Sequence, residues 1–147
     1  MKKLFVLLAA ITVSYVSQAQ FVQEVGVRFG DVSGNNFAVD GLLATGEFSR
    51  IHANVSFGDG VGVDAIWDFL YKPVGAEEVL KWYVGAGPSM FIGDPFSLGI
   101  SGEVGLEYEF NFPMSISADW RPTFVLLENT DFKAGGFGVN VRYVFGQ

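Results

Sequence analysis

The feature that most restricts what this chain can become is the period-two alternation from Gly99 to Leu126. Ile100, Val104, Leu106, Tyr108 and Phe110 share one parity, and Met114, Ile116, Ala118, Trp120 and Phe124 continue it beyond a turn at Asn111-Phe112-Pro113. The other parity carries Ser101, Glu103, Gly105, Glu107 and Glu109, then Ser115, Ser117, Asp119, Arg121 and Thr123. Successive side chains of a strand point to opposite faces, so this is a β-hairpin with one apolar and one charged face. Centring it on Phe112 sets Glu103 opposite Arg121 and Gly105 opposite Asp119, a spacing suited to cross-strand ion pairing.

Alternation of the same kind covers nearly all of Phe21 to Phe145 and predicts eight strands. Beside the hairpin they fall at about 22–31, 36–44, 47–57, 61–72, 80–92 and 134–146. In the fourth, Val63, Ala65, Trp67, Phe69 and Tyr71 form the apolar parity against Gly62, Asp64 and Asp68; in the second, Leu42 blurs the pattern. Ser33-Gly34-Asn35-Asn36, Gly58-Asp59-Gly60, Gly93-Asp94-Pro95 and Glu128-Asn129-Thr130-Asp131 carry turn residues. The longest connection, Lys72 to Glu78, has room for one helical turn.

Residues 1–19 read as a secretory signal peptide and 20–147 as the β-domain it exports. Met1-Lys2-Lys3 is the positive region, Leu4 to Val13 a short apolar core, and Ser17-Gln18-Ala19 a small-residue cleavage site. That apolar run is too short to span a bilayer as a helix. Without Lys2 and Lys3, seven basic residues face sixteen acidic ones, a formal charge of −9, which argues against a nucleic-acid partner. The chain has no cysteine, so disulfides, thiolate metal sites and a lipid-carrying cysteine are all excluded. An apolar exported chain without a spanning helix is either a packed β protein or a membrane β-barrel.

Residue size discriminates between the two possible insides. Trp67, Phe69, Tyr71, Trp82, Tyr108, Phe110, Trp120, Phe124, Phe137, Tyr143 and Phe145 crowd the apolar face, more bulk than an eight-stranded lumen holds. The charged face carries Gly26, Gly30, Gly62, Gly85, Gly87, Gly105, Gly136 and Gly138, and small residues are what a narrow interior needs. Lys72, Lys81 and Lys133 all sit at strand ends or connections, and a lipid-facing Lys or Arg at the bilayer midplane costs roughly 2–4 kcal/mol. The expected fold is therefore all-β: an eight-stranded antiparallel up-and-down transmembrane barrel with a polar interior and an apolar exterior facing lipid. Pro88 and Pro122 lack the N–H a closed barrel requires and are expected near the outer rim, at bulges.

The expected interior polar network comprises Arg28, Arg50, His52, Asp64, Asp68, Glu103, Glu107, Asp119, Arg121 and Arg142, together with Glu24, Asp40 and Glu109. Paired and hydrogen-bonded charges are tolerated away from water, so the simplest reading is a structural polar plug. The alternatives are a thin acid-lined path for water or ions and, if the aromatic face pointed inward, a soluble lipocalin-like binding barrel. His52 is the single histidine, and Asp64 or Asp68 with Ser56 or Ser49 could complete a nucleophilic arrangement, but Arg50-Ile51-His52-Ala53-Asn54 carries no motif for one. Asp59, Asp94 and Asp131 lack the spacing of a calcium loop. No catalytic, cofactor or metal residue is assigned.

Val63-Asp64-Ala65-Ile66-Trp67-Asp68-Phe69, Tyr83-Val84-Gly85-Ala86-Gly87, Gly102-Glu103-Val104-Gly105-Leu106-Glu107-Tyr108, Ala118-Asp119-Trp120-Arg121-Pro122 and Gly136-Phe137-Gly138-Val139-Asn140-Val141-Arg142-Tyr143 resemble segments of small outer-membrane barrels of Gram-negative cells, broadly like OmpX and the OmpA transmembrane domain. The closer resemblance is to a short-looped group of such barrels without assigned chemistry. It implies an outer-membrane location, a lipid bilayer as surroundings, a monomer, and a structural or surface-interaction role rather than catalysis. Tyr143 and Phe145 look like the alternating aromatics of the C-terminal assembly signal, which implies the barrel-insertion machinery as a partner during assembly; Asn140 stands where that signal usually has Gly.

Overall fold

The computed structural model describes residues 22–32, 34–76, 78–94, 96–127 and 130–145; the leader read at 1–19 lies outside them. The described strands are β1 (Val22–Val32), β2 (Asn35–Ala44), β3 (Arg50–Phe57), β4 (Val61–Pro73), β5 (Leu80–Ile92), β6 (Ser97–Glu109), β7 (Met114–Trp120), β8 (Thr123–Val125), β9 (Asp131–Lys133) and β10 (Phe137–Val144). They form eight staves, because β7 and β8 are one strand interrupted at Arg121-Pro122, and β9 and β10 one strand interrupted at 134–136. Pairing runs β5-β4-β3-β2-β1-β10-β7-β6, and β6 pairs β5 again, so the sheet closes into an antiparallel barrel.

One hydrogen-bonded row defines its dimensions. Starting at Glu109 of β6, it passes Ser115, Arg142, Gly26, Asp40, Asn54, Asp64 and Ser89 and returns to β6 at Gly99, ten residues from where it began. Eight strands with a stagger of ten residues tilt by about 40° and enclose a cylinder of about 8 Å backbone radius. Such a lumen is filled by side chains alone. The largest side chains with no accessible surface belong to Arg28, Arg50 and Tyr83, whereas Trp67 is 55% and Phe137 68% exposed on the outer parity.

The register reproduces the hairpin expected from sequence, with Gly105 opposite Asp119. Four local expectations are corrected. Tyr71 turns inward, because a bulge between Asp68 and Leu70 shifts the parity of the last turn of β4 and sends its hydroxyl to Glu107 Oε1 at 2.9 Å. β3 starts at Arg50, not 47: the amides of Thr45 and Gly46 both donate to Ser49 O, both at 3.2 Å, folding those residues into a turn. No helical turn occurs among the described residues after Pro73, where Val74 N instead donates to Leu80 O at 2.7 Å. The last stave is broken at 134–136, at Gly136 with φ +97°.

Both prolines interrupt the ladder as their missing N–H requires, but without the bulges expected of them, since the register is unchanged across each. Pro122 separates β7 from β8, and its carbonyl still accepts from Gly102 N at 2.9 Å. Around Pro88 the β4–β5 ladder lapses between Asp64–Ser89 and Trp67–Ala86 without a change of register.

Glycines set how close the inner side chains come. A Cβ on Gly105 would collide with the Tyr83 ring and with the Asp119 side chain, and one on Gly138 with the Arg28 guanidinium. Replacement of Gly105 by Val is therefore expected to destabilise the barrel by about 1–3 kcal/mol through overpacking. Guanidinium unfolding of the refolded protein measures this; a change within experimental error would show that Tyr83 does not occupy the space above Gly105.

Candidate functional site

Between Glu24 near one end and Asn35 near the other, the lumen contains a continuous polar network. Among the described residues it buries seven carboxylates (Glu24, Asp40, Asp64, Asp68, Glu103, Glu107 and Asp119), four guanidiniums (Arg28, Arg50, Arg121 and Arg142) and the His52 imidazole. All ten network residues singled out in the sequence are brought together here. Glu109 is the outlier: it sits at the rim, where Lys81 Nζ reaches its Oε2 at 2.7 Å with both side chains partly exposed.

The long side chains reach each other across glycines. Gly26 lies between Arg142 and Asp40 in the register, and Arg142 Nε passes over it to bond Asp40 Oδ2. Gly105 lies between Tyr83 and Asp119, and the Tyr83 hydroxyl crosses it to Asp119 Oδ2 at 2.9 Å. Arg28 packs over Gly138 to pair with Asp119 and also donates to Gly136 O at 3.1 Å. Because a strand is only about 4.8 Å from its neighbour, a missing side chain lets a cation meet an acid two strands away.

Three linked clusters result. At the β7–β10 end of the network, Asn140 Nδ2 donates to Asp119 Oδ2 at 2.8 Å and to Ser117 Oγ at 2.9 Å. At the centre, Arg121 forks onto Glu103 and also donates to Asn54 Oδ1 at 2.6 Å and Asp64 Oδ2 at 3.2 Å. Toward the chain termini, Glu107 accepts from Arg50 Nη1 at 3.1 Å, Arg142 Nη1 at 2.9 Å and the Tyr71 hydroxyl. Ser115 Oγ donates to Glu24 at 2.8 Å.

His52 joins the clusters. Its Nδ1 lies 2.5 Å from Glu103 Oε1 and its Nε2 2.5 Å from Asp40 Oδ1. With both ring nitrogens engaged by carboxylates, the imidazole has no lone pair to offer a serine. Ser56 Oγ accepts from Asn35 Nδ2 at 3.0 Å instead, and Ser49 lies in the 45–49 turn with Thr45. Asp64 holds Ser89 and Arg121, and Asp68 holds Arg50 Nε at 3.1 Å, so neither is directed at His52.

His52, Glu103 and Asp119 offer ligand atoms within 4.8 Å of one another, close enough by distance to hold a metal ion. Each is already bound: His52 to two carboxylates, Glu103 to Arg121, and Asp119 to Arg28, Tyr83 and Asn140. A dication there would have to displace buried guanidiniums and sit beside them. What the arrangement does chemically is pair and hydrogen-bond its own charged groups, with carboxylates in excess of cations.

Sequence reasoning missed Tyr83, Asn54, Asn140 and Tyr71 as network members. Arg50 is sandwiched, its Cζ 3.9 Å from the Tyr71 ring centre and 4.7 Å from that of Tyr83. The polar parity of Tyr83 and Asn54 was the available signal; for Tyr71 the bulge erased it. Tyr143 and Phe145 lie on the outer parity, their rings 5.1 Å apart edge to face. Comparison with protein-family models, curated proteins and solved structures gives no match for this chain.

Removal of one partner from such a network leaves a buried charge unsatisfied, at a cost of about 3–5 kcal/mol. Arg142→Met takes the guanidinium from both Asp40, which keeps His52, and Glu107, which keeps Arg50 and the Tyr71 hydroxyl, and is expected to lose about 3 kcal/mol, whereas Lys81→Ala at the rim is expected to lose less than about 1 kcal/mol. Paired unfolding curves in guanidinium decide; equal losses for the two variants would contradict the network's hold on the barrel.

Proposed function

We propose that the mature chain is an eight-stranded outer-membrane β-barrel whose lumen is a structural polar plug, with a structural or surface-interaction role and no catalytic chemistry. The observation that carries this reading is the inverted distribution of side chains. Arg28, Arg50, His52 and Asp68 have no accessible surface, while Phe29, Trp67, Ile100, Leu106, Phe132, Phe137 and Tyr143 are each more than half exposed. In water such a continuous apolar belt would be an aggregation surface. In hydrocarbon it is the expected solvent contact, and closure of β6 onto β5 pairs the staves around the barrel, leaving an edge among the described residues only at the rim by β9.

Dimensions and anchors support the same reading. β4, β5 and β6 each run for 13 residues, and about 9–11 tilted residues cross a bilayer core. Aromatic rings gather toward the two ends of the wall: Tyr108, Phe110 and Phe112 in successive contact at 5.0 Å near one, and Phe29 with Phe37 at 5.6 Å near the other. Interfacial girdles of this kind flank the apolar band of membrane barrels. A leader at 1–19 would deliver the chain for export, and Tyr143 and Phe145 would present the outward aromatics read by the insertion machinery. A lipocalin-like barrel would need its aromatic face inside, and the exposure of Trp67 and Phe137 gives that alternative no support.

Membrane fractionation of cells producing the full chain, combined with gel mobility before and after boiling, tests the location: recovery with the outer membrane and a heat-dependent shift are expected, and a soluble periplasmic protein would overturn the reading. The plug also predicts no unitary conductance when purified, refolded protein is added to a planar bilayer. Reproducible single-channel steps would replace it with the passive-channel alternative.

A further inference from the structure

The lumen holds more acid than base. Among the described residues seven buried carboxyl groups face four guanidiniums and one imidazole, so even a charged His52 leaves two carboxylates in excess. Surplus charge shielded from water is strongly unfavourable and has to be removed or matched. Of the candidates, Glu24 lies near the end of the lumen, whereas Asp68 lies within it and has no accessible surface.

Asp68 alone among the seven leaves a fully buried oxygen unpartnered. Its Oδ2 accepts one bond, from Arg50 Nε at 3.1 Å, and its Oδ1 has no hydrogen-bond partner. Arg50 Nη2 is likewise unpartnered, so this guanidinium does not make the two-bond fork typical of an ionised pair with Asp68. It gives its Nη1 to Glu107, at 3.2 and 3.1 Å from the two oxygens, and its faces to the rings of Tyr71 and Tyr83.

The unpartnered oxygen faces another acid. Asp68, Gly85 and Glu103 are successive partners across β4, β5 and β6, and Oδ1 lies over Gly85, where a Cβ would collide with it. Oδ2 is turned the other way, toward Arg50 of β3. Glu103 has both oxygens engaged, Oε1 2.5 Å from His52 Nδ1 and Oε2 accepting from Arg121 Nε at 2.7 Å. The charged groups that act on Asp68 are therefore Glu103 from β6 and His52 and Arg50 from β3, while β5 presents only Gly85 and the neutral Tyr83. Two carboxyl groups that face each other over a glycine, out of water, favour the form in which one carries a proton. A metal ion in that place would need several oxygens and finds one free.

We propose that Asp68 is a proton-binding site of the lumen: it is held as the neutral carboxylic acid, with the proton on Oδ1 facing Glu103 across Gly85. The proton lowers the surplus of the lumen by one charge. It also closes the position where a free carboxylate oxygen would receive a permeating cation, and so completes the plug. The proposal rests on the closed, plugged lumen and not on the location of the barrel.

The test is infrared difference spectroscopy of the refolded protein in micelles at neutral pH, with the unaltered chain set against Asp68→Asn. The expected result is the carbonyl band of a protonated carboxylic acid, shifted on transfer to D₂O and lost in Asp68→Asn. The amide of that variant supplies a neutral donor in place of the acid O–H, so its unfolding equilibrium constant in guanidinium should stay within about threefold of the unaltered protein. Glu107→Gln, which takes a charge from two guanidiniums, should raise that constant by about tenfold or more. Absence of the band from the unaltered protein, its survival in Asp68→Asn, or a loss of folding or stability in Asp68→Asn equal to that in Glu107→Gln overturns the proposal while leaving the polar plug standing. Single-channel steps from the unaltered protein would remove the plug and leave the band to decide the state of Asp68.

Discussion

The structure depends on one constraint: charges shielded from water must find their partners inside a cylinder of fixed width. A lone buried ion costs several kcal/mol even after relaxation, and excellent geometry is needed to offset that. Here Glu107 collects Arg50, Arg142 and the Tyr71 hydroxyl, and Asp119 collects Arg28, Asn140 and Tyr83. The contacts link β1, β4, β5, β6, β7, β10 and β3 across the lumen, so the same bonds that satisfy the charges also tie opposite walls together. Four buried atoms among the described residues, Arg28 Nε, Asn35 Oδ1, Arg50 Nη2 and Asp68 Oδ1, remain without a protein partner; Arg50 offsets part of its loss by stacking between two tyrosine rings.

Much of this was legible in the sequence because parity in a strand is strict. Glu103 and Arg121 were placed as neighbours by counting from Phe112, and the register confirms Gly105 opposite Asp119. The glycines were legible as inner residues by size, but not as gaps: that Arg142 reaches Asp40 over Gly26 requires the order of strands, which no local pattern encodes. Tyr71 was misplaced because a bulge adds one residue and inverts every later side chain on that strand. Leu42 and Ile66 blur the pattern for another reason. Both are wholly buried on the inner parity, where they fill space between polar layers.

The departures from simple alternation concentrate at the rim between β1 and β9. Pro122 interrupts one stave, and Gly136, with the residues before it, the next; β1 shifts register against β2 between Phe29 and Val32. Each break exposes backbone groups, and each has a local answer: Pro122 O bonds Gly102 N, Ala134 O takes the Trp120 indole, and Gly136 O receives both Arg121 N and Arg28 Nη2. Arg28 thus supplies from the lumen a donor that a neighbouring strand would otherwise provide. The irregular wall is held by side chains where the ladder fails.

Asn140 ties these observations to the end of the chain. It is an inner residue of the last strand with no accessible surface, donating to Ser117 and Asp119. Arg28 approaches its Oδ1 at 3.4 Å while pairing with Asp119. A glycine would leave Asp119 with one neutral donor fewer and open space beside Arg28, whereas the outward aromatics Tyr143 and Phe145 are untouched by the exchange. The outer parity of the last strand thus carries the aromatics Tyr143 and Phe145, while the inner parity answers to the charge network.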